Sequence, residues 1–208
     1  MKKSIHTNSL VYVLQNLAHY IAEVHAIMDR KWSSLRLQIH ALWWRVHLGK
    51  RCSARGLVYF KRRQDSCIII GDECNFLSRP TVNPMGVFCP CMFTTTTKGA
   101  VIHVGDRCGF SGVRVWAAKS VTLGNNVRCG ANVLITDSDA HAEDSRAGKD
   151  APVVIEDNVW LGMNVMVLKG VHIGKNSLIG AGSIVTRDIP ANVMAAGVPC
   201  KVIKELKI

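Results

Sequence analysis

A six-residue period dominates the last quarter of the chain. Ile155, Leu161, Val167, Ile173, Ile179 and Val185 follow one another without a miss. Val159, Val165, Val171, Ser177 and Ser183, all small or β-branched, form a second register four positions behind the first. In a chain that is 48% hydrophobic, six consecutive hits arise by chance in roughly 1% of cases. Six is a poor multiple of the 3.6-residue helical turn but an even number, so each repeat returns the same strand face inward. Units this short cannot bury their apolar faces alone and must stack on their neighbours. The pattern predicts a parallel β-helix built of hexapeptides.

Earlier phrases carry the same signal less regularly. Leu48-Gly49-Lys50-Arg51-Cys52 and Ile70-Gly71-Asp72-Glu73-Cys74 read as its first instances. Between residues 77 and 99 the period fades among Pro80, Pro84, Pro90 and the Thr94–Thr97 run, which predicts an irregular coil or an excursion. Regularity returns at Val104-Gly105-Asp106-Arg107-Cys108. After a one-residue slip it runs through Ala117, Leu123, Cys129 and Ile135, with Val121, Val127 and Val133 as companions. Asp139 and His141 then appear where the next strand of the pattern should close, and the polar stretch that follows to Asp150, ahead of Pro152, reads as a loop leaving the coil; loops on a rigid scaffold are where function concentrates.

Ahead of the repeats, residues 8–48 have helical spacing. Leu10, Leu14, Leu17, Ile21, Val24 and Met28 form a stripe that Trp32, Leu35, Ile39, Leu42 and Val46 nearly continue. Ser33-Ser34 reads as a break with an N-cap, giving two helices. This division puts a helical segment at 1–47 and the solenoid, with its C-terminal tail, at 48–208. Trp43 and Trp44 among Lys31, Arg36, Arg45, Lys50 and Arg51 suit a membrane-surface helix. A cap on the end of the solenoid, which repeat proteins need, is the preferred reading.

The formal net charge of +11 favours anionic partners, such as a phosphorylated cofactor or an acidic membrane face. No aromatic-basic RNA motif, zinc finger or helix-turn-helix signature accompanies it, so no nucleic-acid partner is expected. No run of 18 apolar residues and no cleavable leader pattern is present, which leads us to expect a cytoplasmic protein, with a peripheral contact at the inner membrane face left open. The eight cysteines form no CxxC pair and no histidine supplies a regular metal spacing, so no metal is expected. Cys52, Cys74, Cys108 and Cys129 stand where the repeat wants a small buried residue and read as reduced, packed thiols. Cys89-Pro90-Cys91 has no chemical account.

His141 is the histidine at the edge of the polar loop, with Asp137, Asp139 and Asp144 within four residues. A neutral imidazole can take a proton from a hydroxyl near pH 7, and a carboxylate can fix its tautomer. An exposed loop histidine beside ordinary turn aspartates has the same spacing, and spacing alone leaves both readings open. His103 and His172 lie within regular repeats as surface or interface positions.

Several phrases together carry a resemblance. They are Ser111-Gly112, Ile135-Thr136-Asp137-Ser138-Asp139-Ala140-His141, the run from Ile179-Gly180-Ala181-Gly182-Ser183 through Thr186-Arg187-Asp188-Ile189-Pro190, and Ala195-Ala196-Gly197-Val198-Pro199-Cys200-Lys201-Val202-Ile203. With these, residues 48–208 resemble the bacterial hexapeptide-repeat O-acetyltransferases, most strongly from residue 104 onward. The Asp-Ser-Asp-Ala-His stretch is more similar to the members that acetylate surface polysaccharides than to the galactoside enzymes. The latter have a longer loop and acceptor-contacting residues that the Ser111–Lys119 stretch lacks.

The resemblance implies a left-handed parallel β-helix of triangular section, a homotrimer with active sites between subunits, and acetyl-CoA as co-substrate. It implies His141 as general base, oriented by Asp139 or failing that Asp137. Ser111 and Asp137 would face the acceptor sugar or glycan. Met163 and Ala181 would line the pantetheine channel through backbone groups, Trp160 would stand beside the cofactor cleft, and Thr186, Arg187, Lys201 and Lys204 would lie near the nucleotide phosphates. For Trp160 a packed coil-corner aromatic is the other reading. Serine or xenobiotic acetylation and a non-catalytic assembly platform stand as alternatives. A zinc lyase on the same scaffold would need a histidine where Arg146 stands.

Overall fold

A computed structural model describes residues 9–141 and 143–207. The start of the predicted helix at residue 8 and the side chain of Leu10 lie outside what is described. The chain winds into a prism with three sheet faces. Face A holds β1 (His47–Leu48), β4 (Cys67–Ile70), β7 (Val101–Val104), β10 (Ser120–Leu123), β13 (Val153–Ile155) and β16 (His172–Ile173). Face B holds β2 (Ser53–Arg55), β5 (Asn75–Leu77), β8 (Gly109–Ser111), β11 (Arg128–Ala131), β14 (Trp160–Leu161), β17 (Leu178–Ile179), β19 (Val193–Ala196) and β20 (Lys201–Glu205). Face C holds β3 (Tyr59–Lys61), β6 (Met92–Thr95), β9 (Arg114–Ala117), β12 (Leu134–Thr136), β15 (Met166–Val167) and β18 (Ile184–Val185). Every pairing is parallel except β19 with β20, because each strand pairs with the one a full coil later.

Both predicted registers point inward. Ile155, Leu161, Val167, Ile173, Ile179 and Val185 are fully buried, and Val159, Val165, Val171, Ser177 and Ser183 fill the corners beside them. The early coils are filled differently, by Phe60, Phe76, Phe93 and Phe110; Phe76 stacks on Phe110 at 5.3 Å and Phe93 meets both edge-on. Cys52, Cys74, Cys108 and Cys129 are buried and unbonded to one another, as the repeat predicts. The Cys108 contact, the largest cause, and burial push the Cys74 thiol up to about 12 against an opposing Cys52 contact, so this thiol is inert at neutral pH.

The corner between faces A and B explains why coils register on one another. Oxygens of Asp72, Asp106, Asn125 and Asp157 accept the backbone N–H of Lys50, Asp72, Asp106 and Asn125 in the coil before, at 2.7–2.9 Å. Asn126, Asn158, Asn176 and Asn192 adopt the left-handed conformation that asparagine tolerates, and their amides form a ladder at 2.8–3.1 Å. Glycine precedes this step because there is no room. A Cβ on Gly105 would lie 2.7 Å from the Gly124 carbonyl carbon and the Asn125 side chain. Gly105→Ala should therefore cost about 1–3 kcal/mol, read as a lower denaturant midpoint with an unchanged slope.

The N-terminal segment departs from expectation. It is one helix, α1 (Ser9–Trp43), not two, and it ends before residue 48. Ser34 does not break it, because its hydroxyl bonds the Arg30 carbonyl one turn back at 2.7 Å. Ser33 is buried against the first coil, where its hydroxyl accepts the Gly56 N–H at 3.0 Å. Leu37 and Ala41 complete the contact. Residues 77–99 are only partly irregular: the excursion spans the stretch between β5 and β6, and Met92–Thr95 is a paired strand.

His40 sits where α1 meets the first coil, stacked on Phe60 at 6.1 Å and edge-on to Tyr59 at 6.0 Å. Burial holds its pKa below the ordinary 6.5; the Val58 backbone opposes this and the Arg36 cation adds to it. The unfolded chain therefore takes up the proton first as pH falls through 6.5, and stability is lost with acidification. Thermal unfolding should occur at a lower temperature at about pH 5.5 than at about pH 7.5, and His40→Asn should shrink the difference.

Candidate active site

The loop from Asp137 to Pro152 leaves the corner between faces C and A, between β12 and β13. Asp137 anchors its start, fully buried, with its two carboxylate oxygens accepting the N–H groups of Ala118 and Lys119 at 2.7 Å each. Ala151 closes the loop by donating to the Asp137 carbonyl and accepting from Gly170 in the next coil. Asp144 and Arg146 pin the outer turn through a bidentate ion pair that holds the Asp144 carboxyl below its usual range. Ala140 sits at φ 70°, a left-handed conformation that a non-glycine residue adopts only under constraint, and it turns the chain into His141.

The loop folds around a cavity of about 300 Å³ lined by Ser138, Asp139, Ala140, His141, Ala147, Gly148, Lys149 and Asp150. That volume is at the lower end for small-molecule sites. The His141 side chain is exposed at the cavity, and its Nδ1 lies 3.1 Å from Glu143 Oε1. The Glu143 carboxyl is held low, first by its own backbone N–H and then by His141, so it is ionised at neutral pH. With Nδ1 donating to that carboxylate, Nε2 carries the free lone pair.

This geometry corrects two expectations. Asp139 does not orient the imidazole: its carboxylate takes the Lys169 ammonium and the Gly148 N–H, which hold its pKa low, with Lys169 the main cause. Asp137 neither orients His141 nor faces an acceptor, because both of its oxygens are spent on backbone inside the prism. Glu143 and Lys169 take the places the spacing assigned elsewhere. Lys169 could have been found by register, since it stands at the same corner one coil after the loop and reaches back to Asp139.

The remaining predicted residues fall into two groups. Trp160 is half-exposed on face B, and the outward positions paired through it run Arg128, Trp160, Leu178, Met194, Lys204. Trp160 to Lys204 is three strand spacings, about 14 Å. Met163 and Ala181 stack at the adjoining corner, where Gly182 donates to the Met163 carbonyl at 2.8 Å, and Lys201 lies on β20 beside them. These five form one apolar strip with a cationic end. Thr186 and Arg187 do not join it, because they follow β18 at the C–A corner, on the side of the His141 loop. Ser111 is nearly buried at the end of β8, at the B–C corner, so one chain does not bring it to His141. The excursion before β6 is tied beside Ser111 by Asn132, whose amide accepts the Phe88 N–H and donates to the Gly86 carbonyl. Among the described residues, no group of three or more His, Cys, Asp or Glu side chains is placed to hold a metal ion.

A prism of stacked hexapeptides with a histidine-bearing corner loop defines the class as a left-handed parallel β-helix. Residues 152–187 match the family described as bacterial transferase hexapeptide (six repeats). The chain is 50% identical over 114 residues to a galactoside O-acetyltransferase of Escherichia coli (strain K12), covering 52% of this chain and 56% of that one. The chain spans about half the length of the curated relatives it matches. Among solved structures it resembles a hexapeptide-repeat acetyltransferase from Vibrio cholerae (TM-score 0.54, 21% identity, 85% of this chain and 82% of that one). It also resembles an N-acyltransferase from Bacillus cereus solved with a dTDP-amino sugar and coenzyme A (TM-score 0.59, 14% identity, 78% and 84%). At these identities the two structures speak for the fold.

Proposed function

We propose that this chain transfers an acetyl group from acetyl-CoA to a sugar hydroxyl of a surface polysaccharide or its precursor. The observation that carries the proposal is His141 at the mouth of a loop cavity, its Nδ1 on an ionised Glu143 and its Nε2 free. In the proposed step Nε2 takes the hydroxyl proton as the oxygen attacks the thioester carbonyl. The acyl C–S bond breaks, and the CoA thiolate leaves and is protonated. Glu143 stabilises the imidazolium formed between these events. The strip from Trp160 to Lys204 would carry the pantetheine arm, with the cations of Lys201 and Lys204 at its phosphate end. The half-length match to the E. coli galactoside enzyme supports acetyl transfer, and the acceptor class rests on the Asp-Ser-Asp-Ala-His resemblance.

The working form proposed is a homotrimer, in the cytoplasm and peripheral to the inner membrane face. The two residue groups border opposite edges of face C, and its outward column reads Tyr59, Met92, Arg114, Leu134, Met166, Ile184. Tyr59, Met92 and Met166 are 37–43% exposed, a surface suited to a partner chain. Copies packed through this face would bring one subunit's His141 loop toward the next subunit's cofactor strip. The test is thiol release from acetyl-CoA with a panel of sugar, amino-sugar, serine and antibiotic acceptors, followed by mass spectrometry of the product. Acceptor-dependent release with an ester on a sugar oxygen is the expected result. Release only with an amine acceptor, or none, overturns the reading.

A further inference from the structure

We propose that α1 docks this protein on an anionic phospholipid bilayer, through the helix face that points away from the prism. The helix meets the solenoid from Asp29 onward, where Asp29 pairs with Arg79 at 2.9 Å and Arg30 reaches Ser53; among the described residues the first buried one along it is Ser33. The 20 residues from Ser9 to Met28 project about 30 Å beyond that first contact. Along this arm and past it, Leu17, Ile21, Val24, Met28, Leu35 and Leu42 are 46–80% exposed. Leu35 and Leu42 stand roughly 150° around the helix from Leu37, the residue packed on the first coil. The stripe therefore faces outward from the end of the prism. Copies set side by side about an axis parallel to the prism would leave it uncovered.

Three features select a bilayer as the occupant. Leucine, isoleucine, valine and methionine hold the centre of the stripe while Tyr20, Trp32 and Trp43, all more than 60% exposed, hold its edges. That is the arrangement of a helix lying in a lipid interface, where aromatic rings sit at headgroup depth. Its two carboxylates, Glu23 and Asp29, lie off the stripe, toward the solenoid side. The coil against which α1 packs is strongly basic: residues 44–66 hold Arg45, Lys50, Arg51, Arg55, Lys61, Arg62 and Arg63 against Asp65 alone. Two such ends would repel each other, whereas an anionic headgroup layer complements them. Among the described residues no helix is long and apolar enough to cross a membrane, which leaves surface attachment.

This inference rests on the peripheral location proposed above but not on acetyl transfer, so vesicle binding measured without acetyl-CoA succeeds or fails separately from catalysis. The experiment is flotation of the full chain with phosphatidylcholine vesicles, with and without phosphatidylglycerol, alongside tryptophan fluorescence. Binding at least about tenfold stronger to the anionic vesicles, with a blue shift and weakening in salt, is expected. The double variant Leu17→Glu, Val24→Glu alters exposed side chains outside the buried core. It should lose at least about tenfold in binding while keeping its helix content and its activity on a soluble acceptor. Absence of vesicle binding overturns the proposal. So does binding that the double variant leaves unchanged, or an end-to-end assembly of wild-type chains that the double variant dissolves in place of lipid attachment.

Discussion

Acetyl transfer by His141→Ala is expected to fall at least about 100-fold, with acetyl-CoA affinity and assembly unchanged. The side chain is exposed and, among the described residues, bonds Glu143, so its removal leaves the solenoid core intact. Removing a general base without disturbing binding lowers kcat and kcat/KM together. Two further variants separate the roles around it. Glu143→Gln keeps a partner for Nδ1 but loses the charge that stabilises the imidazolium, and should cost about tenfold. Asp139→Asn should act through the loop instead, by releasing Lys169, and its loss should appear largely as a raised KM for the acceptor. Steady-state kinetics on the three variants check this order. A near-normal rate for His141→Ala would remove the imidazole from the mechanism.

The second large effect is expected on face C. Leu134 and Met166 sit side by side in its outward column, away from the inward core. Leu134→Glu with Met166→Glu would set two carboxylates in the contact that the proposed trimer buries. Unpaired charge desolvated at an interface costs several kcal/mol, so the double variant should run as a monomer in light scattering. Its thermal midpoint should stay within a few degrees of wild type, because neither side chain packs in the prism. Activity should drop by more than about 100-fold at sub-micromolar protein, since one chain holds the His141 loop and the proposed cofactor strip on opposite edges of the face and misplaced reactants cost at least that much. A fully active monomer would show that a single chain suffices.

Much of this fold was legible because burial in a solenoid is periodic. Each coil repeats the same inward direction, so Ile155 to Val185 reported three faces before any coordinates. The His141 loop was legible for the opposite reason: a polar stretch interrupting such a period has nowhere to go but outward. The A–B corner carried a signal that hydrophobic spacing passes over. The asparagines at 126, 158, 176 and 192 and the Asp or Asn beside several of them mark each turn by the backbone they cap.

The partners were less legible. Asp139 and Asp137 are nearer to His141 in the chain than Lys169 is to Asp139, yet Asp137 turns inward to cap Ala118 and Lys119, and Asp139 reaches up one coil. Ser33-Ser34 has the composition of a helix start and lies inside one, because the Ser34 hydroxyl bonds the Arg30 carbonyl one turn back in the helix, while the packed coil supplies the Gly56 and Ala54 N–H groups that the two hydroxyls accept. Thr186 and Lys201 stand 15 residues apart in sequence and on different corners of the prism.

By itself, then, the sequence determined the hexapeptide solenoid, the register of its core and the position of the histidine loop, since these follow from a period and from its interruption. Only the tertiary structure decided which carboxylate holds the imidazole, which predicted residues share an edge, and that the apolar stripe of α1 points away from the prism. Those depend on where each turn aims a side chain relative to the coil above or below it, a direction that residue spacing along one chain does not encode.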